Sequence, residues 1–308
     1  MTDAADPSTP EPVRVTVEPG DDGRVDKALA RHFPDAGRKQ LAELFDAGEV
    51  RVRGKRVKKG DRVSAGDIIE LARSPVRAAD KQPLPDPSVA LDILLERPEL
   101  VALAKPAGIP SQPLRAGELG TIANGVAARW PECATIGDDP RDGGLVHRLD
   151  IGTSGVLLVA RTPAAYRELR EAFGQGRVEK HYLAITDARP VSRECDAPLV
   201  QRGDHVRVDH TDGLAAYTQF AVERATQTHA LVRCIAQTGR MHQVRAHLAH
   251  VGSPIAGDTL YAGKPVADHD GFFLHAASVR LPFGTEVLAI EAPLPARFAS
   301  ALAALGLA

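Results

Sequence analysis

Apolar residues recur every third or fourth position at Val25, Leu29 and Phe33, and again at Leu41, Leu44 and Phe45. That spacing predicts two short helices, over 24–33 and 38–47, with Gly48 as the stop of the second. The pattern then switches to alternation. Val50-Arg51-Val52-Arg53-Gly54-Lys55-Arg56-Val57 reads as a strand pair turning at Gly54, and 67–71 as a further strand. Val13, Val15 and Val17 alternate with polar residues and predict a short strand. Residues 73–88 hold Pro75, Pro83, Pro85 and Pro87 among Ser, Asp and Lys, which is linker composition.

Beyond the linker the pattern is mostly of strands. They are expected over 89–95, 99–104, 154–161, 180–186, 206–208, 217–223 and 231–236, with two more around Pro282-Phe283-Gly284. Helices are expected over 121–130, from Pro163 to about Phe173 with Thr162 as its cap, over 240–251, and at the C-terminal end. Hairpin-linked strands with a few helices predict an α+β domain around a largely antiparallel sheet over 89–308. The preceding stretch, 13–72, reads as a small module of its own, and the acidic, Pro-rich residues 1–12 as a disordered tail.

Composition changes this picture little. Hydrophobic residues make up 44% and charged residues 25% of 308, as in ordinary globular proteins. No apolar run approaches membrane-spanning length, and the N-terminal residues do not resemble a signal peptide. Three scattered cysteines argue against a disulfide framework and fit a cytoplasmic location. Charge distribution is more informative than the net value of −2. Residues 1–23 carry six acids against one base, whereas 51–62 carry seven bases (Arg51, Arg53, Lys55, Arg56, Lys58, Lys59, Arg62) against Asp61. A basic cluster of that density suits a polyanion, although many such hairpins are simply solvated.

Three segments could carry chemistry. The first is His147-Arg148-Leu149-Asp150-Ile151-Gly152-Thr153-Ser154-Gly155, a polar turn with one carboxylate, running into the apolar stretch Val156-Leu157-Leu158-Val159-Ala160. Taken alone, Asp150 reads as an acid capping a turn. The second is Arg177-Val178-Glu179-Lys180-His181-Tyr182-Leu183-Ala184, where Tyr182 reads by default as a core or cross-strand aromatic. The third is Gln237-Thr238-Gly239-Arg240-Met241-His242-Gln243-Val244-Arg245-Ala246-His247, continuing through Pro254-Ile255-Ala256-Gly257-Asp258 to Tyr261. There Met241, Val244, Leu248 and Val251 form a core stripe with Arg245 on its edge. A buried Arg245 demands a carboxylate partner, and spacing does not identify which. His242, His247 and His250 lack the spacing of a zinc helix, so capping or core hydrogen bonding is the expectation and no metal is called for.

Together these segments resemble the RluA-type family of pseudouridine synthases. Lys105-Pro106-Ala107-Gly108 and the Pro254–Asp258 segment add to the match, which spans roughly 88–295. His147 in place of Gly before Arg148 favours this branch over the RsuA-type one. The module at 13–72 resembles an S4 RNA-binding domain through Arg24-Val25-Asp26-Lys27-Ala28-Leu29, Gly48-Glu49-Val50, Val52–Val57 and Gly66-Asp67-Ile68-Ile69.

The resemblance implies a pseudouridine synthase fold, a mixed and largely antiparallel sheet with flanking helices and a central cleft. It implies isomerisation of uridine to pseudouridine within RNA, without metal, nucleotide or other cofactor. It makes Asp150 the nucleophile, attacking at the ribose C1′ or at the base, Tyr182 the ring that stacks on the base and can assist removal of the C5 proton, and Arg245 the partner of Asp150. Arg148 would help hold the flipped nucleotide, and His147, Thr153, Arg240, His242 and Gln243 would line the substrate site. Arg51, Arg53, Lys55, Arg56, Lys58 and Lys59 would grip RNA phosphates. Large-subunit ribosomal RNA is the first expectation for the substrate, transfer RNA the second, and a monomer the expected state. After Gly108 the chain reads Ile109-Pro110-Ser111-Gln112-Pro113, where many relatives carry a more apolar segment ending in His-Pro. A competing expectation is an RNA-binding or ribosome-assembly factor that keeps the fold without catalysis.

Overall fold

A computed structural model describes residues 12–34, 36–75 and 81–308. The acidic tail expected over 1–12 falls almost wholly outside the described residues. The chain divides into two compact units, one of the described residues up to Gln82 with Leu114–Glu118, the other of Pro83–Pro113 with Leu119–Ala308.

In the first unit, β1 (Val13–Thr16) and β2 (Gly23–Arg24) lead into α1 (Val25–His32) and α2 (Arg38–Asp46). Then follow β3 (Val50–Val52), β4 (Lys55–Arg56), β5 (Arg62–Val63) and β6 (Ile68–Leu71). Strands order as β1-β6-β3-β4. Val25, Leu29, Leu41 and Leu44 pack on Val50, Val52, Ile69 and Leu71. Because Val50 and Val52 point inward, Arg51 points out, as strand alternation requires, and the exposed Arg53 follows in the turn with φ 53°.

The second unit is built on one large sheet. Its strands are β7 (Asp92–Glu96), β8 (Leu100–Lys105), β9 (Ser154–Ala160), β10 (Glu179–Thr186) and β11 (Glu194–Cys195). A separate hairpin pairs β12 (Leu199–Arg202) with β13 (His205–Val208). The large sheet continues with β14 (Thr218–Ala225), β15 (Ala230–Ala236), β16 (Leu274–Phe283) and β17 (Glu286–Glu291). The order is β11-β14-β15-β10-β16-β9-β8-β7, with β17 also on β16, and only the β16–β9 pair is parallel. Helices α3 (Ile122–Arg129), α4 (Pro163–Gly174), α5 (Gln243–His250) and α6 (Ala296–Ala304) flank it.

Strand β9 shows how the layers form. All of its residues are buried. Val156, Leu158 and Ala160 join the cluster containing Tyr166 and Leu169 of α4, while Leu157 and Val159 join the one containing Ile122 and Val126 of α3. A strand buried on both faces needs an unbroken apolar run, which Val156–Ala160 supplies. Val244 and Leu248 of α5 pack with Ala184, Val232 and Leu274.

Register then sets the functional geometry. Ala276 of β16 pairs with Gly155 at the start of β9 on one side and with Tyr182 of β10 on the other. Two strand spacings put the Tyr182 backbone about 10 Å from the end of the Asp150 turn. Tyr182 packs against both the α3 and the α5 clusters, so it lies where they meet. Gly155 permits this register. Its φ is +119°, and a Cβ there would lie 2.1 Å from the Ala276 carbonyl oxygen.

Two expectations need correction. The helix expected from Arg240 begins at Gln243, because His242 takes a left-handed conformation with φ 50° and ψ 18°. The Gln243 side chain accepts from the Arg240 N–H (3.0 Å) and the Thr238 hydroxyl (2.7 Å), closing a turn in place of a first helical turn. The strand expected at 206–208 is half of a hairpin whose partner, Leu199–Arg202, alternation alone did not disclose.

Gly155→Ala should destabilise the protein by at least about 3 kcal/mol, since it combines backbone strain with a clash against a paired strand. Gly174→Ala, where a Cβ would meet nothing within 4 Å, is the control and should be neutral or slightly stabilising in thermal unfolding.

Candidate active site

Asp150 lies in the turn before β9. Thr153 donates its N–H to the Asp150 carbonyl (3.0 Å), and Ser111 brackets the preceding residue, donating to Leu149 O (2.7 Å) and accepting from Leu149 N–H (3.0 Å). Lys105 holds the far side. It is 1% exposed, and its Nζ donates to the carbonyls of Pro106 (2.9 Å), Ile151 (3.2 Å) and Thr153 (2.8 Å). An ammonium has three donors, and each meets a carbonyl. Burial lowers Lys105 to about pKa 8, opposed by the attraction of Asp150.

Arg245 projects from α5 and is 5% exposed. Its Nη1 donates to Asp150 Oδ2 (2.9 Å), while Nε and Nη2 form a bidentate pair with Asp258 at 2.7 and 2.9 Å. The guanidinium also lies over the rings of Phe272 (4.4 Å) and Tyr261 (5.0 Å). Burial opposes its charge; the carboxylates, Asp258 first, more than offset this and raise its pKa. Phe272 reaches this position because residue 152 is glycine: a Cβ there would lie 2.6 Å from the ring.

The two acids are therefore unequal. Asp258 is 2% exposed, with both oxygens spent on Arg245. The Asp150 side chain keeps 25% exposure, and its Oδ1 has His242 Nε2 at 3.8 Å, beyond hydrogen-bond range. Arg245 is set between the two carboxylates, and of these Asp150 is the accessible one. His242 Nδ1 lies 2.9 Å from the Tyr261 hydroxyl, which accepts from the Val206 N–H. Burial lowers the His242 pKa against the attraction of Asp150.

Tyr182 completes the group. Burial first, and then the neighbouring Asp150 carboxylate, push its phenol well above the usual range. Its hydroxyl has no hydrogen-bond partner among the described residues.

The remaining expected residues divide. Thr153 belongs to the Asp150 turn, and its hydroxyl is buried without a partner among the described residues. Arg148 lies two positions before Asp150, exposed, beside Gln112. His147 points elsewhere: its Nε2 accepts from the Leu158 N–H (3.1 Å) and its ring stacks on Phe173. Burial, with Lys180 and Arg170 nearby, lowers it to about pKa 3. Gln243 donates to Tyr217 O (2.9 Å) and Thr218 Oγ1 (3.0 Å) besides closing its turn, so its amide is spent within the protein. Arg240 is exposed and donates to Ala215 O (3.0 Å). His247 bonds Thr218 Oγ1 and Ala197 O, both at 2.9 Å, as a core histidine. Lys105, Asp258 and Tyr261 fall within the sequence motifs, but periodicity gave no hint of what they touch.

In the first unit Arg51, Arg53, Lys55, Arg56, Lys58 and Lys59 lie on the basic hairpin and the turn after it, Lys58 to Lys59 and the strand arginines facing outward. Arg53 pairs with Asp67 (2.7 Å). The Arg56 guanidinium lies against Gly48.

Comparison with known proteins identifies the family. The family model described as RNA pseudouridylate synthase matches residues 99–250. The chain is 35% identical to ribosomal large subunit pseudouridine synthase D of Xylella fastidiosa, covering 82% of this chain and 75% of that one. It is 32% identical to ribosomal large subunit pseudouridine synthase C of Escherichia coli, covering 88% and 89%. Among solved structures, human RNA pseudouridylate synthase domain containing 4 superposes with a TM-score of 0.58 at 26% identity, covering 70% of this chain and 93% of that one. The fold and the relatives are those of an isomerase. More narrowly, the chain belongs to the RluA-type family of pseudouridine synthases. Among the described residues, no helix is long and apolar enough to cross a membrane.

Lys105 gives a pH test. Its folded pKa of about 8 lies below the unfolded value, so between these the folded chain binds fewer protons than the unfolded one. Its contribution to stability is present above the unfolded pKa and is lost as pH falls through 8. The stability of wild type relative to Lys105→Met should therefore rise between pH 8 and 10, as measured by urea unfolding at both pH values.

Proposed function

We propose that the chain isomerises uridines in large-subunit ribosomal RNA, with Asp150 as nucleophile, Arg245 holding its charge and Tyr182 covering the base. The observation that carries the reading is that Arg245 is locked by Asp258 yet still bonds Asp150, leaving Asp150 Oδ1 uncommitted and accessible. An aspartate is a useful nucleophile only when ionised, and a fixed guanidinium favours that form. Asp150 attacks at the ribose C1′ or at the base and is later released. The N1–C1′ bond breaks, the uracil turns in place, and C5 bonds to C1′. C5 loses its proton and N1 gains one, so atoms balance with no redox change.

Reaching a uridine inside folded RNA requires extrusion, and an aromatic face compensates for lost stacking. Tyr182 supplies that face in this reading, and its phenol is also the candidate to assist removal of the C5 proton. The ribosomal assignment rests on the names of the relatives, with transfer RNA as the alternative. The first unit, with helices leading into a basic hairpin, acts in this reading as an S4-like module that grips phosphates.

Asp150→Asn should abolish pseudouridine formation while leaving thermal unfolding within a few degrees of wild type; full activity would remove the nucleophile from the account. Mapping pseudouridines across total RNA in a deletion strain tests the substrate. Sites lost from large-subunit ribosomal RNA and restored by wild type, but not by Asp150→Asn, are expected; losses confined to transfer RNA would redirect the assignment. Replacing Arg51, Lys55 and Lys58 by Gln should weaken RNA binding and flatten its salt dependence, by up to about one unit of slope for each phosphate no longer neutralised.

A further inference from the structure

The polar pair Ser111-Gln112 is buried, which is unusual for its chemistry. Gln112 is 6% exposed. The amide orientation that satisfies both neighbours directs its nitrogen to Asp142 Oδ1 (3.3 Å) and its oxygen to Arg148 Nη1 (3.1 Å). Asp142 is itself fixed, since its Oδ2 accepts from the Tyr166 hydroxyl and the Asp139 N–H, both at 3.0 Å. These residues line a cavity of about 260 Å³ that also includes His147 and Arg170. Ser111, one position earlier, fixes Leu149 between Arg148 and Asp150. A long arginine at a cavity mouth would otherwise sample many rotamers. Here one of its nitrogens is held by an amide whose other end is anchored to a carboxylate.

We propose that Gln112 is a positioning residue: it ties Arg148 to Asp142 and so fixes a guanidinium that helps hold the target uridine out of a base-paired stretch. The inference rests on the reading that Arg148 assists extrusion. It predicts a dependence on substrate structure. Extrusion is demanding for a paired uridine and slight for one already unpaired. Loss of Gln112 should therefore matter for the first substrate and little for the second. A residue that merely supports the fold would affect both alike.

The test compares Gln112→Met, which keeps the side-chain volume, with Arg148→Ala and the double variant. Each full-length protein is assayed for kcat/KM on two short RNAs, one with the target uridine paired and one with it in a mismatch. Gln112→Met should lose about tenfold on the paired RNA, the scale of one hydrogen bond to a charged group, and less than about twofold on the mismatched one. Within the Arg148→Ala background it should cause no further loss. Equal losses on both RNAs, no loss at all, or a loss that multiplies with that of Arg148→Ala would overturn the role of Gln112 while leaving that of Arg148. Full activity of Arg148→Ala on the paired RNA would remove the extrusion reading and this inference with it. If Gln112→Met fails to fold, Gln112→Ala takes its place in the same comparison.

Discussion

A buried guanidinium must be surrounded by acceptors, and the way Arg245 meets that need organises the site. Asp258 takes two of its nitrogens in a bidentate pair, Asp150 takes a third, and the rings of Phe272 and Tyr261 cover its faces. Such a pair contributes little to stability relative to apolar packing, because desolvation offsets much of the attraction. Its value here is placement. With Asp258 satisfying most of Arg245, Asp150 is held by a single bond from it, and its other oxygen makes no hydrogen bond among the described residues. An arginine paired with Asp150 alone would swing with the turn that carries it.

The sheet makes the placement possible. The three catalytic candidates are far apart in sequence, on the turn before β9, on β10 and on α5. Strand β16 enters between β9 and β10, and its Ala276 sets both registers at once. Lys105 then fixes the Asp150 turn from beneath through three carbonyls. These restraints act on backbone, so the carboxylate is oriented before any substrate arrives. That is the preorganisation on which electrostatic stabilisation in active sites depends.

Much of this was legible in the chain. The switch from helical spacing at Val25–Phe45 to alternation at Val50–Val57 marked the first unit. The apolar run at Val156–Ala160 marked a strand buried on both faces. The motifs around Asp150, Tyr182 and Arg245 pointed to the family. What stayed hidden was pairing across long sequence distances. Nothing local told that Arg245 would bond Asp258 more extensively than Asp150, or that Gly152 leaves room for Phe272. The helix expected from Arg240 missed the left-handed turn at His242, because the side-chain bonds of Gln243 outweigh helical propensity there. His147 and Gln243 sit in the motifs, and the sequence did not tell that Gln243 would spend its amide within the protein or that His147 Nε2 would accept from the Leu158 N–H.

Asp258 fixes Arg245 so that Arg245 can fix Asp150. Single-turnover pseudouridine formation by Asp258→Asn, on enzyme shown by thermal unfolding to be folded, tests this most directly. Asparagine preserves shape but removes the charge that anchors the guanidinium, and the expected rate is lower by about a hundredfold with RNA affinity little changed. A folded Asp258→Asn enzyme turning over at the wild-type rate would contradict it.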